Sequence, residues 1–353
     1  MLPLCTPPPD HDGAMAQMHD VTAKLPGVLL AAVIAGAATV IGSFVPLVGS
    51  ALPAIVIGVV IALVRRPRAP FAAGLKFSSK MVLQIAVVLL GSQLSLAQVA
   101  KVGVESFPVM ISTLIVCLLA AGGLSRLLRV ESDLAVLIGV GTAICGASAI
   151  AAVSPVIKAR NASIAYAVST IFLFNVLAVL LFPPLGRLLG FTQHEFGLFA
   201  GTAVNDTSSV VATAGIYGAV ALGFAVVVKL VRTLMIIPIS VGLAIRTARR
   251  EGTPVRFTPR GIAALVPWFL IGFLVASLVR SVGVIPDAAL VPISAVAMFL
   301  IAMAMAAIGL STDVAGFRTA GLRPLALGGL LWVVVTVTAV AAILRVIGQN
   351  VWM

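Results

Sequence analysis

Two cations interrupt an otherwise apolar stretch of the chain, Lys229 and Arg232 in the run VVVKLVRTLMIIP. Residues three apart share one face of a helix, so both charges should point in the same direction. We predict that they face inward and attract an anion. The alternative is that both side chains extend to lipid headgroups. The run continues for about a dozen residues to Ile245, roughly 18 Å of helix, which favours the inward direction.

A second polar group stands in GTAVNDTSSVV, where an acid interrupts another apolar stretch. An ionisable residue in such a stretch is a candidate functional group with a charged partner. We predict that Asp206 pairs with one of the cations or takes up a proton, and that its polar neighbours bind substrate: Asn205, Thr207, Ser208 and Ser209. The alternative, that Asp206 caps a helix beginning at Thr207, is compatible with this role.

The third candidate is the small-residue run GVGTAICGASAI. Glycine costs about 1 kcal/mol relative to alanine inside a helix, which predicts an interruption here. The free N–H groups of a following half-helix would then attract an anion. We therefore add four residues to the predicted binding site: Cys145, Gly146, Ala147 and Ser148. Close helix packing through small residues is the alternative.

Composition decides which elements must position these residues. Of the 353 residues 61% are hydrophobic and 10% are charged, whereas soluble domains run near 45–50% and 25%. Long apolar runs predict transmembrane helices and exclude the ten-residue alternation of a membrane barrel. We expect an all-α polytopic membrane protein with about eleven spans: 26–46, 50–64, 79–98, 106–125, 133–157, 162–183, 196–218, 220–245, 261–280, 288–312 and 324–347.

The net charge of +12 reflects 23 Lys and Arg against 11 Asp and Glu. In a soluble protein it would suggest nucleic acid, but here the cations alternate between segments. With a cytoplasmic N-terminus, 16 lie in inside segments and 5 in outside segments, as the positive-inside rule predicts. We expect a multi-pass protein of the inner membrane with a periplasmic or extracellular C-terminus and no nucleic-acid partner.

The spans suggest an inverted repeat. Setting the first span aside leaves five followed by five, which have opposite orientations, as in inverted-repeat transporters. We predict a disordered tail at 1–25, an extra helix at 26–49, a first repeat at 50–190 and a second at 191–350. The span 288–312 would then contain a second helix break, and its candidate residues are Gly309, Ser311 and Thr312. An ordinary helix end explains Gly309 equally well.

The chain offers few residues for metal or covalent chemistry. Its three histidines and three cysteines have no metal-ligand spacing, and no GxxxxGK[ST] motif is present, so we expect no metal, no cofactor and no enzymatic activity. A less favoured alternative is an intramembrane enzyme with Cys145 or Ser148 as its nucleophile.

Five segments resemble the YeiH-type family of sulfate exporters: GTAICGASAIAAVSPVIKA, GTAVNDTSSVVATAG, VKLVRTLMIIP, VPWFLIGFLVAS and MAAIGLSTD. The resemblance covers residues 26–348. It implies the superfamily of cation/proton antiporters and bile-acid symporters, with inverted five-helix repeats and interrupted crossing helices. Many members have a His-Glu pair where Asn205 and Asp206 stand here, which leaves Asp206 as the one carboxylate of the motif.

Together these features predict a secondary active transporter, an exporter of a small anion such as sulfate or an organosulfonate. The anion would sit between Gly146–Ser148 and the two cations, with hydroxyls from Thr207–Ser209 completing its hydrogen bonds. A proton or cation could be coupled through Asp206. An anion channel is the alternative, and a homodimer in the lipid bilayer is left open.

Overall fold

The chain folds into α-helices throughout the residues that the computed structural model describes, which are 11–44, 50–64, 69–251, 266–311 and 322–350. A π-helical turn at Ser78–Val82 joins two of the helices. In chain order they are α1 His11–Phe44, α2 Ala51–Val64, α3 Ala69–Phe77, α4 Leu83–Gly91, α5 Leu96–Leu127, α6 Ser132–Ala143, α7 Ala147–Val153, α8 Asn161–Leu188, α9 Gln193–Ala203, α10 Thr207–Tyr217, α11 Ala219–Leu234, α12 Ile236–Glu251, α13 Trp268–Ser281, α14 Asp287–Leu310 and α15 Leu322–Asn350.

Seven helical segments in these ranges are long and apolar enough to cross a membrane, and shorter apolar helices accompany them. The all-helical polytopic fold predicted from composition is confirmed. Helix α1 already begins at His11, inside the segment 1–25 predicted as a disordered tail. Residues 11–25 include several good helix formers, among them alanine, methionine and glutamine, so the helix can extend before its apolar part.

The segment predicted to cross at 133–157 instead folds back on itself. Helices α6 and α7 are separated by residues 144–146, and the two ends of the pair meet. Arg160, after α7, forms an ion pair at 2.5 Å with Glu131, before α6. Side-chain atoms of Ile150 in α7 lie close to Gly141 in α6. The two helices therefore form a hairpin that enters and leaves at one face.

The segment predicted to cross at 196–218 is a second hairpin. Helices α9 and α10 are separated by residues 204–206. The amides of Val220 and Ala221 donate to Gln193 Oε1 at 3.1 and 3.4 Å, and Tyr217 donates to the carbonyl of Phe191 at 2.5 Å. The start of α9 thus lies beside the end of α10. A long apolar run predicts depth in the membrane, but not whether the chain continues or returns.

The two hairpins enter from opposite faces. Helix α8 connects them, and its 28 residues span about 42 Å. We call the face at which α6 and α8 begin the basic face, and the face at which α9 and α11 begin the opposite face. Contacts between distant segments agree: His194 at the start of α9 lies 3.8 Å from Glu105 near the start of α5. The Leu96 amide donates to Ser281 Oγ at the end of α13.

The helices pack as two bundles. Bundle I contains α1–α4, α13 and α14, and bundle II contains α5–α12 and α15. Helix α10 of bundle II contacts α2 and α14 of bundle I. Both hairpins therefore belong to one bundle, and the second of them adjoins the other bundle.

Gly309 lies within a helix, and the break predicted from Gly309 to Thr312 stays a prediction because the chain after Ser311 lies outside the described residues. Helix α14 is continuous from Asp287 to Leu310, and Ser311 is its C-cap, whereas Thr312 lies outside the described residues. Gly309 allows close packing, because a Cβ atom there would lie 2.5 Å from the carbonyl oxygen of Ile55 in α2. Gly58 faces the carbonyl of Ala306 in the same way.

Candidate functional site

The tips of the two hairpins meet inside bundle II. Gly146 has a positive φ of 67°, and a Cβ atom there would lie 3.2 Å from Asp206 Cβ and 3.3 Å from Ile171 in α8. The first tip therefore touches the second beside the middle of α8. Two predicted groups of site residues, 145–148 and 205–209, are brought together here.

Lys229 joins the two tips. Its side chain is 0% exposed, and its Nζ donates to the Ile144 carbonyl at 2.9 Å and to the Val204 carbonyl at 2.7 Å. These carbonyls follow the last residues of α6 and α9. Since helix C-termini carry partial negative charge, the ammonium stabilises both ends at once.

Arg232 makes a second bridge, one helical turn further along α11. Its Nε donates to the Ala143 carbonyl at 2.7 Å and its Nη2 to the Thr142 carbonyl at 3.3 Å. Its Nη1 donates to the Thr202 carbonyl. This side chain is also 0% exposed. Both cations therefore point into the protein and not to lipid headgroups, and they bind main-chain oxygens of both hairpins.

Asp206 lies at the tip of the second hairpin, as the N-cap of α10. Its side chain makes no capping bond to the helix backbone, but it accepts a hydrogen bond from Ser208 Oγ. In the described part of the chain no ion pair joins it to Lys229 or Arg232. The residue as a whole is half-buried, and its carboxylate lies beside the first tip.

Asn175 is a site residue that the sequence reasoning passed over. Its Oδ1 accepts hydrogen bonds from the amides of Asn205 and Asp206, at 3.2 and 3.3 Å. The α8 side chain thereby holds the second tip open in a non-helical conformation. The Asn205 side chain itself is 1% exposed, and its Oδ1 has no hydrogen-bond partner within the described residues.

The remaining predicted residues differ in access. Cys145 is 1% exposed and Gly146 and Ser208 are buried, whereas Ala147 and Ser148 are exposed. Thr207 and Ser209 are half-buried. His194 lies away from the tips, in a cavity of about 680 Å³ between the bundles at the opposite face. In the parts of the chain described, no group of three His, Cys, Asp or Glu side chains could hold a metal ion.

The two tips are copies of one motif. GTAICGASAI at 141–150 aligns with GTAVNDTSSV at 201–210, sixty residues later. Lys229 binds Ile144 and its equivalent Val204, and Arg232 binds Thr142 and its equivalent Thr202. The cations therefore lie near a pseudo-twofold axis between the hairpins. The sixty-residue repeat is the sequence signal that relates the break at 144–146 to the break at 204–206. The predicted division into five plus five spans instead relates 133–157 to 288–312.

The tips and the two cations form a polar cluster with a surplus of positive charge. Two buried cations face one carboxylate, and hydroxyls of Ser148, Thr207 and Ser209 lie at or near accessible surface. Hydroxyl groups can donate to an oxyanion. A small anion is therefore better suited to the tips than a cation or an apolar ligand.

Comparison with known proteins gives a family for this chain. The family model described as conserved hypothetical protein 698 matches residues 26–328. A UPF0324 membrane protein of Streptococcus pyogenes serotype M3 is 44% identical over 326 residues, covering 90% of this chain and 96% of the relative. A UPF0324 membrane protein of Fusobacterium nucleatum is 42% identical over 337 residues, with coverages of 90% and 96%.

No solved structure matches the chain. The long matches cover both hairpins, the buried cations and most helices of both bundles, so the chain belongs to the UPF0324 family of membrane proteins.

Proposed function

We propose that this membrane protein is a secondary transporter of a small anion, with sulfate or an organosulfonate as the candidate substrate. The observation that carries the proposal is the pair of fully buried cations, Lys229 and Arg232, fixed behind two hairpin tips in the middle of the protein. Charges are costly at such a depth and mark substrate or ion pathways. The resemblance to the YeiH-type exporters supports export as the direction.

The cations act mainly through their field. Lys229 uses two of its three N–H donors on carbonyl groups, and Arg232 uses three of its five, which leaves few donors for a ligand. Direct hydrogen bonds to the anion come instead from hydroxyls at the tips, Ser148, Thr207 and Ser209. This assignment changes the role of the cations from ligands to positioning charges.

Asp206 is the coupling group of this proposal. An anion at the tips would lie beside its carboxylate, and the repulsion between the two negative charges favours protonation. Binding of the anion would then be linked to uptake of a proton or a cation. Hairpins that enter from opposite faces suit alternating access, in which bundle II moves against bundle I.

Counterflow in proteoliposomes tests the function. Proteoliposomes containing the purified full chain are loaded with unlabelled sulfate, and the entry of labelled sulfate is measured. The assay is repeated with a panel of inorganic and organic anions in place of the unlabelled sulfate. With the membrane potential clamped at zero by an ionophore, we expect a transient overshoot, which a channel does not give. Flux that only follows the electrochemical gradient would support the channel and overturn the transporter proposal.

Variants of the tip hydroxyls test the site. Loss of one hydrogen bond to a charged ligand costs about 1.5–3 kcal/mol, so Ser148→Ala and Thr207→Val should each weaken sulfate affinity by roughly ten- to a hundredfold. Ser169→Ala is the matched control, because Ser169 is half-buried on α8 and bonds its own helix at Ala165. Equal affinities in all three variants would place the anion elsewhere.

A further inference from the structure

The second helices of the two hairpins are equivalent in sequence but differ in burial. On α7 and the turn that follows it, Ala147, Ser148, Ala151 and Pro155 are exposed. Sixty residues later their equivalents on α10 are less accessible: Thr207 and Gly215 are half-buried, and Ser208 and Val211 are buried. Two copies of one motif thus occupy different environments in a single conformation.

The exposed positions of α7 form a continuous stripe. Their spacing of four places Ala147, Ala151 and Pro155 on one side, and the stripe runs from the tip towards Lys158 and Arg160 at the basic face. Faces of other helices that suit lipid carry large apolar residues, such as Val104 and Leu119 on α5. The small residues of the stripe suit a water-filled passage better than lipid contact.

An unsatisfied polar atom lies where this stripe ends. Asn205 Oδ1 is buried and has no hydrogen-bond partner among the described residues, and the neighbouring Asp206 touches the first tip at Gly146. Buried amide oxygens without partners are rare in native structures. Because this oxygen can only accept a hydrogen bond, it marks a place where water or a donor group of a ligand completes the site.

Helix α10 is covered by contacts with both bundles. It packs against α8, α9 and α11 of bundle II, and against α2 and α14 of bundle I. Movement of bundle II relative to bundle I would break only the second set of contacts. Such a movement would uncover the side of α10 that faces bundle I.

Building on the proposed transport function, we infer that the exposed stripe of α7 lines the substrate pathway to the basic face. Its equivalents on α10, which are Thr207, Ser208, Val211 and Gly215, line the pathway to the opposite face. The α7 stripe and its α10 equivalents are accessible to water alternately, one in each conformation of the transporter. The present conformation is open to the basic face and closed to the opposite face.

Single cysteines at equivalent positions test this inference. Ala151→Cys and Val211→Cys are placed in a chain carrying Cys5→Ser, while Cys117 and Cys145 remain because both are buried. A charged, membrane-impermeant thiol reagent is applied to each face of oriented vesicles. The parent chain gives the background, and Leu119→Cys, which is 71% exposed on the apolar side of α5, is the matched control.

We expect Ala151→Cys to react from the basic face at least about tenfold faster than Leu119→Cys, because only a hydrated thiol ionises and reacts. Val211→Cys should react from the opposite face alone, and conditions that speed one reaction should slow the other. Equal rates for Ala151→Cys and Leu119→Cys would overturn the inference. Reaction of both new cysteines from one face would overturn it as well.

The same vesicles separate the two proposals. Side-specific reactivity without sulfate counterflow would support the pathway and refute only the anion assignment. Counterflow with an unreactive Val211→Cys under every condition would support the transport function and refute the alternating walls.

Discussion

Arg232 binds three main-chain carbonyls from two hairpins. Because of this geometry, its removal should mainly lower the stability of the fold. Arg232→Met leaves Thr142, Ala143 and Thr202 without their charged donor, at about 2–5 kcal/mol in total. Arg232→Lys keeps the charge but loses the planar fork that reaches several oxygens, so its loss should be intermediate. Unfolding in detergent should rank the wild type first, Arg232→Lys second and Arg232→Met last.

Lys101→Met is the control for this series, because Lys101 is exposed at the protein surface and should change stability by less than about 0.5 kcal/mol. A stability of Arg232→Met equal to that of this control would contradict the bridging role.

Asn175 acts through a single oxygen that accepts two amides of the second tip. Asn175→Leu leaves the buried amide of Asn205 and the partly buried amide of Asp206 unpaired. The cost is about 1–3 kcal/mol for the buried amide, and the change should abolish counterflow while the protein still folds. Asn175→Asp retains an acceptor and should restore much of the flux. Sulfate counterflow and gel filtration measure the two effects, and an Asn175→Leu variant with full flux would contradict the proposed role.

Residue types alone reveal part of this site. A charge in an apolar stretch is costly, so Lys229, Arg232 and Asp206 stand out in the sequence. Asn175 does not, because a lone amide in a helix has the same pattern as Gln84, which bonds Trp268, or Gln93, which bonds the Leu290 carbonyl. Only the fold shows which amide meets a hairpin tip.

At the scale of elements, the sequence predicts where a helix is interrupted better than it predicts whether the chain crosses the membrane or turns back. Glycine and small polar residues identify both breaks, at 144–146 and 204–206. The return of the chain rests on contacts such as Arg160 with Glu131 and Gln193 with Val220, which join residues far apart in sequence. The division into 50–190 and 191–350 stays a prediction, since the repeat that the tips reveal has a period of sixty residues.

The contact between the two hairpin tips can be tested at Gly146. Its φ of 67° disfavours any side chain, at about 1–2 kcal/mol, and a Cβ atom would also approach Asp206 Cβ at 3.2 Å. Gly146→Ala should therefore separate the tips and abolish counterflow. Gly190→Ala is the matched control, because Gly190 has a φ of 70° and nothing within 4 Å of an added Cβ. Equal flux in the two variants would show that tip contact is unimportant.

At the scale of the whole molecule, the hairpins change the distribution of charge. The hairpin topology differs from the predicted eleven crossings only in the direction in which α8 crosses the membrane. This difference moves Lys158 and Arg160 to the basic face and Arg187 to the opposite face. The cations then divide 17 to 4 by chain connectivity, compared with 16 to 5, and Lys229 and Arg232 stay embedded. The stronger bias agrees with hairpins and with a cytoplasmic basic face.

The two topologies place the ends of α8 on opposite sides of the membrane, which allows a decisive labelling experiment. Lys158→Cys precedes α8 and Leu188→Cys ends it, while Arg129→Cys and Val282→Cys mark the basic and opposite faces. With two hairpins, Lys158→Cys should react from the same side as Arg129→Cys, and Leu188→Cys from the same side as Val282→Cys. Eleven crossings require the reverse pairing, because each hairpin would then cross the membrane. An impermeant thiol reagent applied to oriented vesicles distinguishes the two, and the reverse pairing would refute the hairpins together with the sites built on their tips.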